Sequence, residues 1–182
     1  MNRTARITVI WLAVAAIGIA LAFLSPTESK VMGQLPAQAT QSLSRTPVNL
    51  PEGLPSDRTL ARVTFNRNQR SQADSWIDGL NLKNDSSISW VRIPVLNDPG
   101  TPDGRSDAEK RLLERYTAEA ERTRMLPMFM NKAAFARSTG LNSTEQAYAV
   151  VLNRQGDVLA RVEGPFDATK AQTLRQTLAA TK

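Results

Sequence analysis

The sequence predicts an α/β domain built on a mixed sheet and carried behind an N-terminal transmembrane helix. Three observations predict it. Ile7 to Leu24 (ITVIWLAVAAIGIALAFL) is a run of eighteen residues without a charge. Beyond residue 57, strand-like alternation and helix-like i, i+3, i+4 spacing of apolar residues follow one another along the chain. Towards the C-terminus, two strand-like runs flank Arg154-Gln155-Gly156, a strong hairpin signal.

As a helix the apolar run spans roughly 27 Å, close to a hydrocarbon thickness of about 30 Å. The alternative, a cleaved secretory signal, needs a shorter apolar core and a small-x-small site just after it. Here Ser25-Pro26-Thr27-Glu28 follows, and the nearest match, Ala37-Gln38-Ala39, lies well downstream. Residues 1–24 therefore read as an uncleaved anchor. Arg3 and Arg6 precede the run, which places the N-terminus in the cytoplasm and the remainder on the extracytoplasmic, periplasmic side of a single-pass protein. Residues 25–57 hold five of the ten prolines, with Ser, Thr and Gln between them and no persistent period. They read as a flexible tether with an end-to-end distance of ~30 Å.

The folded domain is expected over 58–182. Leu60 to Phe65 alternates as a strand. Ser71 with Asp74 opens a helix that turns Ala73, Trp76, Ile77 and Leu80 to one face. Ser87 to Leu96 reads as a buried strand, and Asn97 to Gly104 as a loop. A capping box, Ser106 with Glu109, starts a second helix reaching about Arg124, with Leu112, Tyr116 and Ala120 inward. A short apolar piece, Leu126 to Met130, is broken by Pro127. Asn131 caps a short helix that Gly140 closes. The hairpin pairs Gln146–Asn153 with Asp157–Glu163, and Asp167 caps a last helix. The order strand-helix-strand-helix-hairpin-helix, with right-handed crossovers, resembles the thioredoxin-like order, and periodicity alone fits other α/β sandwiches as well.

Composition excludes whole classes of chemistry. The chain has no Cys, so it can form no disulfide, thiolate nucleophile or thiolate metal site. It has no His, which removes the commonest general base and transition-metal ligand. After the apolar run there are 21 basic and 17 acidic residues, scattered and poor in aromatics, which does not fit a nucleic-acid surface.

Two resemblances emerge from these residues. The stretch from Val63 through Trp76, a strand, a polar turn and a helix carrying Asp74-Ser75-Trp76, resembles the active-site turn of thioredoxins. The stretch from Asn131 and Phe135 through Gly140-Leu141 and AYAVVLNRQGDVLARVEGP resembles a cysteine-poor branch of that fold. That branch is the assembly-factor family serving the membrane proton-channel subunit of mitochondrial F-type ATP synthase, with its bacterial relatives. The family tends to carry Asp at the hairpin entry and an Arg-Trp pair in the last strand, where this chain has Asn153 and Ala160-Arg161. Thioredoxins place Cys after the first strand and a cis-proline before the hairpin. This chain has Asn66 to Ser71 and Thr144-Glu145-Gln146-Ala147 there. The resemblance thus implies a fold used as a scaffold, without cofactor and without redox chemistry.

Arg58, Arg62, Arg67 and Arg70 form a group with no acid between its members. Two readings stand. They meet anionic headgroups or an acidic partner, or Arg58 and Arg62 are outward strand positions and the rest a solvated turn. Trp76 and Trp90 read as packing. Asn97, Asp98 and Asp103 fail the EF-hand spacing, so no metal site is expected. Met125, Met128 and Met130 around Phe129 form either an adaptable partner patch or a buried edge strand. Glu119 and Glu121 do not face each other, and no carboxylate pair is placed together by spacing. The expectation is a non-enzymatic, membrane-tethered domain that binds a protein in or near the membrane, as an assembly factor, through Arg67, Asn68, Arg70, Pro127 and Phe129. A small-ligand or lipid-binding domain, and an enzyme working with Asp, Glu or Lys alone, are the alternatives.

Overall fold

The computed structural model describes residues 31–180. The expected anchor, Ile7 to Leu24, lies outside the described residues. Among these, no helix is long and apolar enough to cross a membrane.

The central sheet has five strands in the order β5-β4-β3-β6-β7. Its members are β3 (Thr59–Thr64), β4 (Trp90–Leu96), β5 (Met128–Phe129), β6 (Tyr148–Leu152) and β7 (Val158–Glu163). Strands β3, β4 and β5 are parallel, while β6 runs antiparallel to β3 and β7 antiparallel to β6. The mixed sheet of the expected order is therefore present. Five helices accompany it among the described residues: α1 (Arg70–Gly79), α2 (Pro102–Arg115), α3 (Glu119–Thr123), α4 (Lys132–Ser138) and α5 (Ala168–Ala179).

Strand alternation divides the core between two faces. Leu60, Trp90, Ala149 and Val151 meet Trp76 and Ile77 of α1 and Leu174 of α5 on one face. Ala61, Val63, Ile93 and Val150 meet Phe135 of α4 on the other. Trp76 is fully buried, stacks edge-on with Phe166 at 5.2 Å and donates from its indole nitrogen to the Gly164 carbonyl at 3.0 Å.

The expected tether is corrected over its described part. Residues 31–57 pack onto the second face and form a small sheet of β1 (Gln38–Gln41) and β2 (Pro47–Leu50). Leu35, Leu50 and Leu54 join the core there, and Leu43 packs against Leu112 and Tyr116. The segment is pinned by backbone bonds: Met32 N–H to the Val158 carbonyl, Val158 N–H to Gly33, and Leu35 N–H to Gly156. Its four leucines are too irregularly spaced to show a period, and its prolines shape turns and the start of β2 instead of a linker. Gly33 lies against the end of α4, where a Cβ would come within 2.3 Å of the Thr139 carbonyl carbon.

Helix boundaries move for local reasons. Ser71 is not the cap of α1. A 3-10 turn, Arg67–Gln69, precedes the helix, capped by the Asn66 side chain accepting from the Asn68 N–H. The start of α2 lies before Ser106, because Thr101 accepts from the Gly104 N–H and Pro102 fits the first helical position. The expected long helix breaks after Arg115. Arg122 of α3 donates to the freed carbonyls of Tyr116 and Leu113 at 2.7 and 3.4 Å, and Ala120 is exposed. Asn131 and Asp167 cap α4 and α5 as expected, accepting from the N–H groups of Ala134 and Lys170.

Candidate functional site

Register sets the site. On the face covered by α1, Leu60 of β3 lies beside Trp90 of β4, Arg62 beside Arg92, and Thr64 beside Pro94. Two arginines thus stand side by side in the interior. Arg62 is 2% exposed and Arg92 5%. Arg62 was expected to point outward, and this is corrected: it belongs to the same strand face as Leu60. Arg58 lies just before the strand and donates to the Thr177 carbonyl of α5 at 2.8 Å.

Buried like charges require compensation. Asp74 of α1 supplies it through one oxygen. Its Oδ1 accepts from Arg62 Nη1 and Nη2 at 3.2 and 3.3 Å and from Arg92 Nη1 at 2.6 Å. Glu121 of α3 accepts from Arg92 Nη2 at 3.0 Å. Aromatic faces complete the cage: the Arg62 guanidinium lies 5.4 Å from the Trp90 ring, and that of Arg92 lies 5.0 Å from Tyr116. The Nε atoms of both arginines are buried and without a hydrogen-bond partner among the described residues. Burial, reinforced by Arg92 and opposed by Asp74, pushes the Arg62 guanidinium well below its ordinary value, to about 9.

Two carboxylates therefore converge, although their spacing in sequence, on separate helices, gives no hint of it. The available signal is an arginine at the middle of each of two otherwise apolar strands, LARVT and WVRIPV.

Over this buried layer opens a cleft of about 380 Å³ at the carboxyl ends of β3 and β4. Five arginines line it (Arg62, Arg67, Arg70, Arg92 and Arg111) against one carboxylate, Asp74. Among the described residues, Arg67, Arg70 and Arg111 take part in no ion pair. The walls between them are apolar, including Phe65, Leu96, Leu112 and Met125.

Beside the cleft, two glutamines join the turn after β3 and the start of α1 to the loop before β6. Gln69, 3% exposed, accepts from the Phe65 N–H and donates to the Thr144 carbonyl, both at 2.7 Å. Gln72 accepts from the Ala147 N–H at 3.0 Å.

The five residues expected to bind a partner are divided. Arg67 and Arg70 lie in the cleft, and Asn68 is exposed on the turn beside it. Pro127 is buried, and its carbonyl accepts from Thr40 Oγ1 at 2.6 Å, so it is removed from any binding face. Phe129 is half-buried in a separate groove of about 460 Å³, with the Arg105 guanidinium 5.8 Å from its ring. Met125 and Met128 are buried and Met130 packs against the core, so the methionines form the edge-strand arrangement and not an exposed patch. Asp98 of the glycine-proline loop pairs with Arg105.

No family model matches the chain, and no curated protein matches it in sequence. The resemblance to the ATP synthase assembly factors therefore finds no support in these comparisons. Solved structures do match. BsSco, a member of the Sco family of cytochrome c oxidase assembly proteins, is similar at 15% identity and a TM-score of 0.52, over 80% of this chain and 91% of that one. A thiol:disulfide interchange protein, DsbE, from Chlorobium tepidum is similar at 17% identity and a TM-score of 0.51, over 81% and 96%. An electron transfer protein from Aquifex aeolicus VF5 is similar at 10% identity and a TM-score of 0.56, over 82% and 95%. At these identities the likeness shows the fold alone, and that fold is thioredoxin-like. Thiol–disulfide exchange needs a thiolate, and this sequence has no cysteine to supply one.

Proposed function

We propose that this chain is a non-redox binding domain, tethered to a membrane by Ile7 to Leu24, that recognises a protein partner through the arginine-lined cleft. One observation carries the reading: where thioredoxins mount reactive thiols, this chain mounts arginines, three of them without an acidic partner among the described residues. Ligands of α/β sheets bind beyond the carboxyl ends of the strands, which is where the cleft opens. The residues around it are suited to binding, since guanidinium groups are poor bases that match carboxylates, and Asp74 Oδ1 is occupied by three N–H donors.

The charged flank Arg3 and Arg6 supports a periplasmic location for the domain. Assembly of a membrane complex is the role that suits a tethered, cysteine-free thioredoxin-like domain. The likeness to a Sco-family protein is consistent with that role at the level of fold.

Site-specific photocrosslinking of the full chain in intact membranes tests this. A photoreactive residue in place of Asn68, on the rim, is expected to yield a discrete crosslinked protein. The same group at Arg137, on α4 and away from the cleft, is expected to yield none. Equal crosslinking from both positions contradicts the reading.

A further inference from the structure

We propose that the cleft takes an acidic segment of its protein partner, with carboxylates against Arg67, Arg70 and Arg111 and an apolar side chain seated between them. This rests on the reading that the cleft is the partner site, and it adds the chemistry of what is recognised.

The buried layer is not the attracting element. Arg62 and Arg92 are balanced by Asp74 and Glu121, two charges against two. The rim is different. Arg67 comes from the 3-10 turn, Arg70 from the first turn of α1 and Arg111 from α2, and none has a counter-ion among the described residues. The first turn of α1 carries no acidic residue, and the side chain of its N-cap, Gln69, is bonded elsewhere and caps none of the helix N–H groups. The helix dipole thus adds to the positive potential at the mouth.

Three guanidinium groups on three elements suit several carboxylates along a segment better than one small ion. Arginine's planar fork matches carboxylate geometry. The walls select further. Phe65, Leu96, Leu112 and Met125 offer an apolar interior, which a purely polar anion would desolvate without gain. The cleft's 380 Å³ is at the small end of ligand pockets, enough to seat a large apolar side chain between the guanidinium groups.

The apolar walls favour a protein over lipid headgroups, because a headgroup phosphate brings no side chain to fill them and would be desolvated there without gain.

The test is a selection of short random peptides on the full chain held in phosphatidylcholine nanodiscs. Three forms are compared: the wild type, the rim variant R67Q/R70Q/R111Q, and the charge-matched control R115Q/R137Q/R175Q. The expected result on the wild type is enrichment of peptides in which Asp or Glu flanks an aromatic or large aliphatic residue, by about tenfold over their Lys counterparts. That enrichment is lost in the rim variant and kept in the control. Absence of acidic enrichment, its survival in the rim variant, or equal loss in the control overturns the proposal. Rim-dependent binding of phosphatidylglycerol vesicles without acidic peptide binding overturns it in favour of a membrane surface. If the photocrosslink from Asn68 persists while acidic peptides do not bind, the inference fails and the function stands. If peptides bind as expected but no crosslinked partner forms, the function fails instead.

Discussion

Arg62 and Arg92 are register partners on adjacent parallel strands, and a single oxygen, Asp74 Oδ1, holds both. Neighbouring like charges on a sheet repel, so the arrangement depends on α1, which brings Asp74 over the pair, and on Glu121 of α3, which meets Arg92. Removing one partner of a buried ion pair leaves an uncompensated charge, whereas replacing the whole set by apolar residues is often neutral. Asp74→Ala is therefore expected to cost about 3 kcal/mol, the low end for buried pairs because the Asp74 side chain is 45% exposed. The double substitution R62M/R92M is expected to cost less than Asp74→Ala alone. Urea melts of the three proteins check this, and an Asp74→Ala protein as stable as wild type would show that Glu121 and the aromatic faces suffice.

Gln69 is expected to matter as much as a core residue. Gln69→Leu keeps the volume but strands the Phe65 N–H and the Thr144 carbonyl, at about 1–3 kcal/mol for a buried group left unsatisfied. Hydrogen exchange reads it directly: the Phe65 amide should lose protection in the variant, while the Val150 amide in the neighbouring strand should exchange much as before.

The parts of the fold legible in sequence were those with a period or a cap. Ala73, Trp76 and Ile77 announce the buried face of α1, and Asn131 and Asp167 mark helix starts by side-chain chemistry that acts within three residues. What could not be read depends on contacts far apart in the chain. Leu35 and Leu54 flank β1 and β2 without periodicity, and only the sheet they cover shows why they are apolar. The cleft was half legible. Arg67 and Arg70 follow a strand end, where α/β sheets bind things, so position alone points to them. Arg92 and Arg111 reach the same cleft through β4 and α2, Glu121 of α3 meets Arg92 from outside its lining, and nothing local connects them. Pro127 misled because a proline in a short apolar piece looks like an exposed break until β1 is seen to cover it.

The docked segment before β1 should depend on Gly33. A methyl group there meets the Thr139 backbone, which cannot move aside without disturbing the end of α4. Gly33→Ala is expected to destabilise by about 1–3 kcal/mol, as overpacking does, and to free the segment first. The Leu35 amide, bonded to the Gly156 carbonyl, should then exchange faster than amides of the central strands. Unchanged protection at Leu35 would mean that the segment is held without this contact.

Asp98 gives a pH-dependent handle. Hydrogen bonds from the Arg105 side chain, and then from the Gly100 N–H, hold its carboxyl below the usual 3.8. A carboxyl depressed in the folded state binds fewer protons than in the unfolded chain, so its contribution to stability is present above pH 3.8 and is lost as pH falls through the folded value. Carboxyl chemical shifts should show Asp98 titrating below 3.8, and Arg105→Gln should bring it back towards that value. No change on Arg105→Gln would assign the shift to the Gly100 N–H instead.

The most direct test of the cleft as a partner site is capture of the native complex from detergent extracts by the full chain, with R67A/R70A and Phe129→Ala compared against wild type, each beside a thermal melt. Surface substitutions usually stay within about ±0.5 kcal/mol, so R67A/R70A should melt like wild type and yet lose the partner. Phe129→Ala, in the other groove, should retain it. Retention by R67A/R70A together with loss on Phe129→Ala would contradict the account and move the binding face to the groove beside β5.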